Sequence, residues 1–128
     1  MYNKVKIAAV TGALAVAIGA FGAHGLKPLM TESQLETFRT GGWYHILHVM
    51  PLLMIALISP KNKILNQSFY LFLGGIICFS GSLYILSTKH LAGGEIWNFV
   101  GPVTPLGGLF FIAAWLNMWR YKGDKKDN

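Results

Sequence analysis

The sequence predicts an all-α integral membrane protein, a four-helix bundle with a short interfacial helix between spans one and two, in one domain over residues 1–128. Three observations carry this reading. Of the 128 residues, 53% are apolar and only 12% are charged, about half the roughly 25% charged residues of an ordinary soluble domain. Four apolar runs, at about 7–26, 44–59, 68–87 and 98–119, alternate with short polar connections. The basic residues sit at the ends of those runs, which is the pattern of orientation in a bilayer.

The first run, Ile7 to Leu26, holds no Asp, Glu, Lys or Arg. At 1.5 Å per residue it covers about 30 Å, the thickness of a hydrocarbon core. Lys4 and Lys6 before it and Ala20-Phe21-Gly22-Ala23 near its end resemble a signal peptide. The apolar core of such a peptide is usually about 7–15 residues, so the run is read as a span. Ala8 and Gly12, Ala9-Ala13-Ala17 and Ala15-Gly19-Ala23 repeat at spacing four. Small residues at that spacing let helix backbones approach in lipid.

Pro28 closes the first span. Ser33 and Glu36 have capping-box spacing, and Leu29, Met30, Leu35 and Phe38 suit the headgroup zone, so residues 31–39 are expected to form the interfacial helix. Gly41-Gly42 permits a bend before span two. Trp43 and Tyr44 are boundary aromatics, Pro51 is expected to kink the helix and free the Leu47 carbonyl, and Pro60-Lys61-Asn62-Lys63 ends it. In span three, Gly74, Cys78 and Ser82 fall at spacing four, with Gly75 and Gly81 as a second thin edge. Lys89 to Glu95 forms a polar connection, and Trp97 marks the next boundary. Pro102 and Pro105 break the start of span four, with a regular helix expected from near Pro105. Trp115, Trp119 and Tyr121 anchor its far end.

With both termini inside, the cytoplasmic face holds Lys4, Lys6, Lys61, Lys63, Arg120, Lys122, Lys125 and Lys126, eight basic residues against three, Lys27, Arg39 and Lys89, on the other face. The expectation is a multi-pass protein of the cytoplasmic (inner) membrane with both termini cytoplasmic. A net charge of +6 forms no stripe on a soluble face, so the partner it implies is the bilayer and not nucleic acid.

The residues with chemistry are few. His45 and His48 lie three apart on one helical face, His24 ends span one, and His90 lies in the connection between spans three and four. This topology brings all four histidines to one outer level, with Glu36, Glu95 and the Pro102–Pro105 break. His24, His45 and His48 are the candidate ligand residues. With Glu36 or Glu95 they offer donor types for a tetrahedral metal site, and two of them on facing helices offer axial ligands for haem. The alternative is that they satisfy hydrogen bonds at helix ends and beside the proline breaks. Cys78, the one cysteine, excludes an internal disulfide and any CxxC motif, and lies roughly 15 Å into span three. Ser80, Ser82 and Ser87 have no Asp-backed histidine by spacing. No carboxylate lies within a span, which argues against intramembrane acid–base catalysis and against an ion-coupled carrier. A pore would need an oligomer.

Gly19-Ala20-Phe21-Gly22-Ala23-His24-Gly25-Leu26, Thr40-Gly41-Gly42-Trp43-Tyr44-His45 with His48, and Thr104-Pro105-Leu106-Gly107-Gly108 resemble, in order and spacing, the membrane proteins grouped as domain of unknown function 423, which include eukaryotic transmembrane protein 256. The resemblance covers essentially residues 5–120. It implies the four-span fold and a membrane location, and carries no activity with it. In that family the histidine motif usually runs His-Ala into an Ala/Leu-rich span, whereas here His48 is followed by Val49-Met50-Pro51.

The functional expectation is a non-enzymatic membrane protein with no cofactor. It would act through helix packing as a homo-oligomer or as an accessory subunit of a larger membrane complex. The runner-up is a binding protein whose outer-face histidines hold a metal, haem or a small polar ligand, and an oligomeric pore or carrier is a weaker third.

Overall fold

The computed structural model describes residues 2–58 and 61–123. Ser59, Pro60, Lys125 and Lys126, and the side chain of Trp97, on which parts of the sequence reading rest, lie outside the described residues. All regular structure described is helical. Helix α1 (Tyr2–Phe21) runs on through a π turn, Gly22–Leu26, and a 3-10 turn, Lys27–Leu29, that carries Pro28. Helix α2 is Glu32–Ile58. The third rod joins α3 (Lys63–Gly75), a π turn (Ile76–Ser80) and α4 (Gly81–Thr88). Two 3-10 segments, Lys89–Leu91 and Gly94–Val100, lead to α5 (Val103–Trp119). Among the described residues four rods are long and apolar enough to cross a membrane: Asn3–Leu29, Glu32–Ile58, Lys63–Leu91 and Asn98–Trp119.

The interfacial helix does not appear as a separate element. Its residues form the first turns of α2, which runs unbroken for 27 residues, about 40 Å. The helix starts with a reciprocal capping box, but on Thr31 and Gln34 and not on Ser33 and Glu36. The Thr31 N–H donates to Gln34 Oε1 (2.8 Å) and the Gln34 N–H to Thr31 Oγ1 (3.3 Å). Gly41-Gly42 and Pro51 stay within the helix, because packing outweighs their propensity cost of about 1 and 3 kcal/mol. Leu35, Phe38, Gly41, His45, His48, Leu52 and Ile55 are all buried at spacings of three and four, one seam that a break at Gly41 would split. Gly41 also brings the α2 backbone close to Leu83, Tyr84 and the Ser80 carbonyl of the third rod.

Helix α2 is the central rod. Antiparallel α1 packs against one side of it, with Gly12 against Val49 and Gly22 against Phe38. The third rod and α5 pack together on the other side. Leu52, Ile55 and Ala56 of α2 meet Phe69, Phe72, Phe111 and Ala114 in the core. The small-residue seam of span three serves α5: Gly74 and Gly75 receive the rings of Phe110 and Phe111, and Ser82 Oγ lies 2.6 Å from Thr104 Oγ1. Gly107 meets main chain, so a Cβ there would fall 2.7 Å from the Phe79 Cα. Further along, the Ser68 hydroxyl donates to the Ala114 carbonyl (3.2 Å), and the Asn117 amide to Ile64 O and Ser68 Oγ (3.0 Å each). These bonds between rods satisfy polar groups that lipid would leave unpaired.

The connections obey local chemistry. Asn62 caps α3 by accepting from the Ile64 and Leu65 N–H groups. Gly93 takes φ +93° between the two 3-10 segments, a conformation that suits glycine. Pro102 is the N-cap of α5 and Pro105 its third residue, where a missing N–H costs nothing.

Candidate functional site

Because α2 begins at Glu32, His45 and His48 stand near its middle and not at its end. They occupy core positions of its buried seam. His48 uses both ring nitrogens inside the protein. Its Nδ1–H donates to the Tyr44 carbonyl one turn back (2.7 Å), so the Nε2 lone pair is left to accept from the Trp115 indole N–H of α5 (3.3 Å). That pair of bonds defines one neutral tautomer. The ring stacks on Phe111 at 3.7 Å between centroids and 11° between planes. The carbonyl it takes is that of Tyr44, and not the Leu47 carbonyl that Pro51 was expected to free.

His45, one turn earlier, is 4% exposed. Its Nδ1 lies 3.1 Å from the Tyr84 hydroxyl of α4, and Tyr84 in turn packs on Phe38. The His45 Nε2 is buried toward the main chain of Thr11 on α1 and falls outside hydrogen-bonding geometry. Ser80 Oγ, also buried, has no hydrogen-bond partner among the described residues.

His90 belongs to a different place. Its Nδ1 accepts from the Gln34 side-chain amide (3.2 Å) and its Nε2–H donates to the Leu29 carbonyl (2.9 Å). It thereby ties the connection after α4 to the loop before α2, beside the Thr31–Gln34 capping box. Gln34 precedes His45 by eleven residues and His48 by fourteen, about 16 and 21 Å along the helix. The histidines therefore do not share one level as the topology suggested. The difference follows from the continuity of α2, which carries His45 and His48 inward.

His24 is exposed in the π turn that ends α1. Among the described residues no group of three or more His, Cys, Asp or Glu side chains gathers within reach of one ion. What the histidines build is a set of fastenings: His45 joins α2 to α4, His48 joins α2 to α5, and His90 joins two connections. Ser82 and Ser87 donate to carbonyls of their own rod, those of Phe79 and Tyr84. The partners Tyr84, Trp115 and Gln34 carried no signal as site residues in the sequence. The one available cue was the Thr31-x-x-Gln34 pattern.

A groove of about 460 Å³ lies elsewhere, between α1 and α2. Its floor is small residues of α1, its wall includes Trp43 and Ile46, and Arg39 stands among its lining residues.

Comparison with known proteins gives a consistent family. The chain is similar to the UPF0382 membrane protein YwdK of Bacillus subtilis, at 37% identity over 115 residues, covering 88% of this chain and 89% of that one. It is similar to the UPF0382 inner membrane protein YgdD of Escherichia coli, at 38% identity, covering 87% and 82% of the two chains. A UPF0382 membrane protein of Haemophilus influenzae matches at 36% identity over 92% of each. No solved structure matches. Residues 18–108, which hold the π turn with His24, all of α2 and the Gly107 crossing, match the family described as protein of unknown function (DUF423). This four-rod, multi-pass membrane protein therefore belongs to the DUF423 family.

Proposed function

We propose that this chain works in the cytoplasmic membrane by association rather than by chemistry, as a homo-oligomer or as an accessory subunit of a larger membrane complex, with both termini in the cytoplasm. One observation carries the reading. Helix α1 carries three small-residue stripes, of which Ala9-Ala13-Ala17 is not spent within the chain. Ala8, Thr11 and Ala15 are buried, with Gly12 against Val49 of α2, whereas Ala9, Ala13 and Ala17 are exposed on the opposite side. A small-residue stripe facing lipid allows another membrane helix to approach closely. The saturation of His48 and His90 by protein groups supports the same reading, since their ligand capacity goes to holding the rods together.

The test is cross-linking in native membranes through a cysteine introduced at Ala13 in a Cys78→Ser background. A homodimer, or one defined heavier adduct, is expected, and Ala13→Leu should abolish it while leaving the protein folded. Absence of any adduct through Ala9, Ala13 and Ala17 cysteines alike would remove the basis of the proposal.

A second reading has one observation in its favour. The His45 Nε2 is buried without a hydrogen-bond partner among the described residues, an arrangement that a small polar ligand would complete. Elemental analysis and an absorption spectrum of protein purified from membranes test it for metal and haem. A stoichiometric metal or a Soret band that is lost in His45→Gln would favour this reading over the first.

A further inference from the structure

We propose that the groove between α1 and α2 is a lipid site that seats one acyl chain of an anionic glycerophospholipid, with the phosphate at Arg39. The inference rests on the groove itself and not on the association reading, which concerns the neighbouring Ala9-Ala13-Ala17 face of α1.

The groove is genuine space. A Cβ built on Gly19 meets nothing within 4 Å, and Ala15, Gly22 and Ala23 continue the same thin floor. From Ala15 to Ala23 the floor runs about 12 Å. The volume of about 460 Å³ lies within the roughly 300–1,000 Å³ range of small-molecule sites. Apolar cavities do not hold water, and in a bilayer the substance at hand to fill one is hydrocarbon. A single acyl chain, thinner than the roughly 10 Å width of a helix, can follow such a groove along its length.

The polarity of the groove matches an amphiphile. Arg39 is the one charged residue in its lining, and it sits at one end. Gly22 packs on Phe38, so Arg39 is level with the far end of α1, while Ala15 and Ile46 mark the inner end. From Thr40 to Ile58 helix α2 has no Asp, Glu, Lys or Arg, about 28 Å, close to the roughly 30 Å hydrocarbon thickness. Arg39 is thus the last charge before the hydrocarbon, at the depth of lipid phosphates. Exposed Trp43, one turn further in, is an aromatic of the kind found at that boundary. Arg39 does share an ion pair with Glu32, but at 3.7 Å and with both side chains exposed. Such a pair is weak and leaves most of the five guanidinium N–H donors for a phosphate, which they suit in fork geometry.

The experiment is native mass spectrometry of the purified full chain, incubated with equal amounts of phosphatidylglycerol and phosphatidylcholine of the same acyl composition. The wild type should retain one phosphatidylglycerol per chain in preference to phosphatidylcholine. Arg39→Gln should reduce that preference about fivefold, the weight of one basic residue at an anionic surface, while keeping the chain folded. Gly19→Leu starts its side chain in open space and should abolish retention of both lipids, with thermal stability in detergent unchanged. Equal retention of the two lipids by the wild type, or undiminished retention in Gly19→Leu, overturns the proposal. So does a Gly19→Leu variant that loses a dimer instead of a lipid adduct, since that would give the groove to a second copy of the chain. Failure of the Ala13 cross-linking leaves these outcomes untouched.

Discussion

At His48 a single side chain is held by three different interactions: a short bond to its own helix, an indole donor from α5, and a stacked Phe111 ring. Replacing it with leucine keeps volume but strands the Trp115 N–H of a half-exposed ring, where lipid offers no replacement partner. Leaving a donor unsatisfied away from water costs about 1–3 kcal/mol, and the expected loss, about 2 kcal/mol, is measurable by unfolding in mixed micelles. Trp115→Phe leaves the other end of the same bond, the buried His48 Nε2, without a donor, and should cost about 1–3 kcal/mol for the same reason. If His48→Leu is costly and Trp115→Phe is not, the hydrogen bond is not what makes His48 matter. His90 acts at the surface, so its removal should loosen rather than unfold. In His90→Ala, amides of the 27–31 loop should exchange faster, while those of α3 and α5 keep wild-type protection.

At the scale of elements, the decisive contact is the crossing of α5 over the π turn of the third rod. Gly107→Ala places a methyl against main-chain atoms of Cys78 and Phe79, which have no rotamer to escape into. The rods must separate, at a cost of about 1–3 kcal/mol as for other overpacked sites, and the Ser82–Thr104 bond should be lost with it. Gly81 is the internal control. A Cβ there meets nothing within 4 Å, so Gly81→Ala should be neutral or slightly stabilising through helix propensity, by up to about 1 kcal/mol. The start of α2 gives a second comparison. Thr31→Ala removes a cap and should cost about 1 kcal/mol, whereas Ser33→Ala, at the alternative capping position, should not.

Across the whole molecule, the rods share out their surfaces unevenly. Helix α2 is the most buried of the four spans, and the windows of the first and last spans are each only 22% buried within the chain. Those two outer rods leave most of their side chains unburied within the chain, and the exposed alanine stripe and the α1–α2 groove both belong to the first of them. The proposed orientation places the N-terminus, the link before α3 and the tail in the cytoplasm. A reporter fused after residue 128 that works only in the cytoplasm should be active, and one that works only outside should be silent. The reverse result would invert the membrane face assigned to Arg39 without moving it from its depth along α2.

Composition, charge-free runs and the placement of lysines and arginines were enough to define an all-α membrane protein with four spans. The physical reason is that the bilayer imposes its thickness on each rod separately, and that demand is written locally in the chain. The seam Gly74, Cys78 and Ser82 was readable for the same reason, since small residues at spacing four mark a helix face whatever packs on it. The partner of each face was not readable. Gly41-Gly42 and Pro51 look like breaks in isolation and lie inside a continuous helix, because a buried seam shared with three neighbouring rods outweighs local propensity. That one outcome carried His45 and His48 away from His24 and His90, and turned an expected cluster of four histidines into three separate fastenings and an exposed His24. Which nitrogen meets Trp115, which hydroxyl meets His45 and where space opens above Gly19 depend on contacts between residues far apart in sequence, and only the packed bundle decides them.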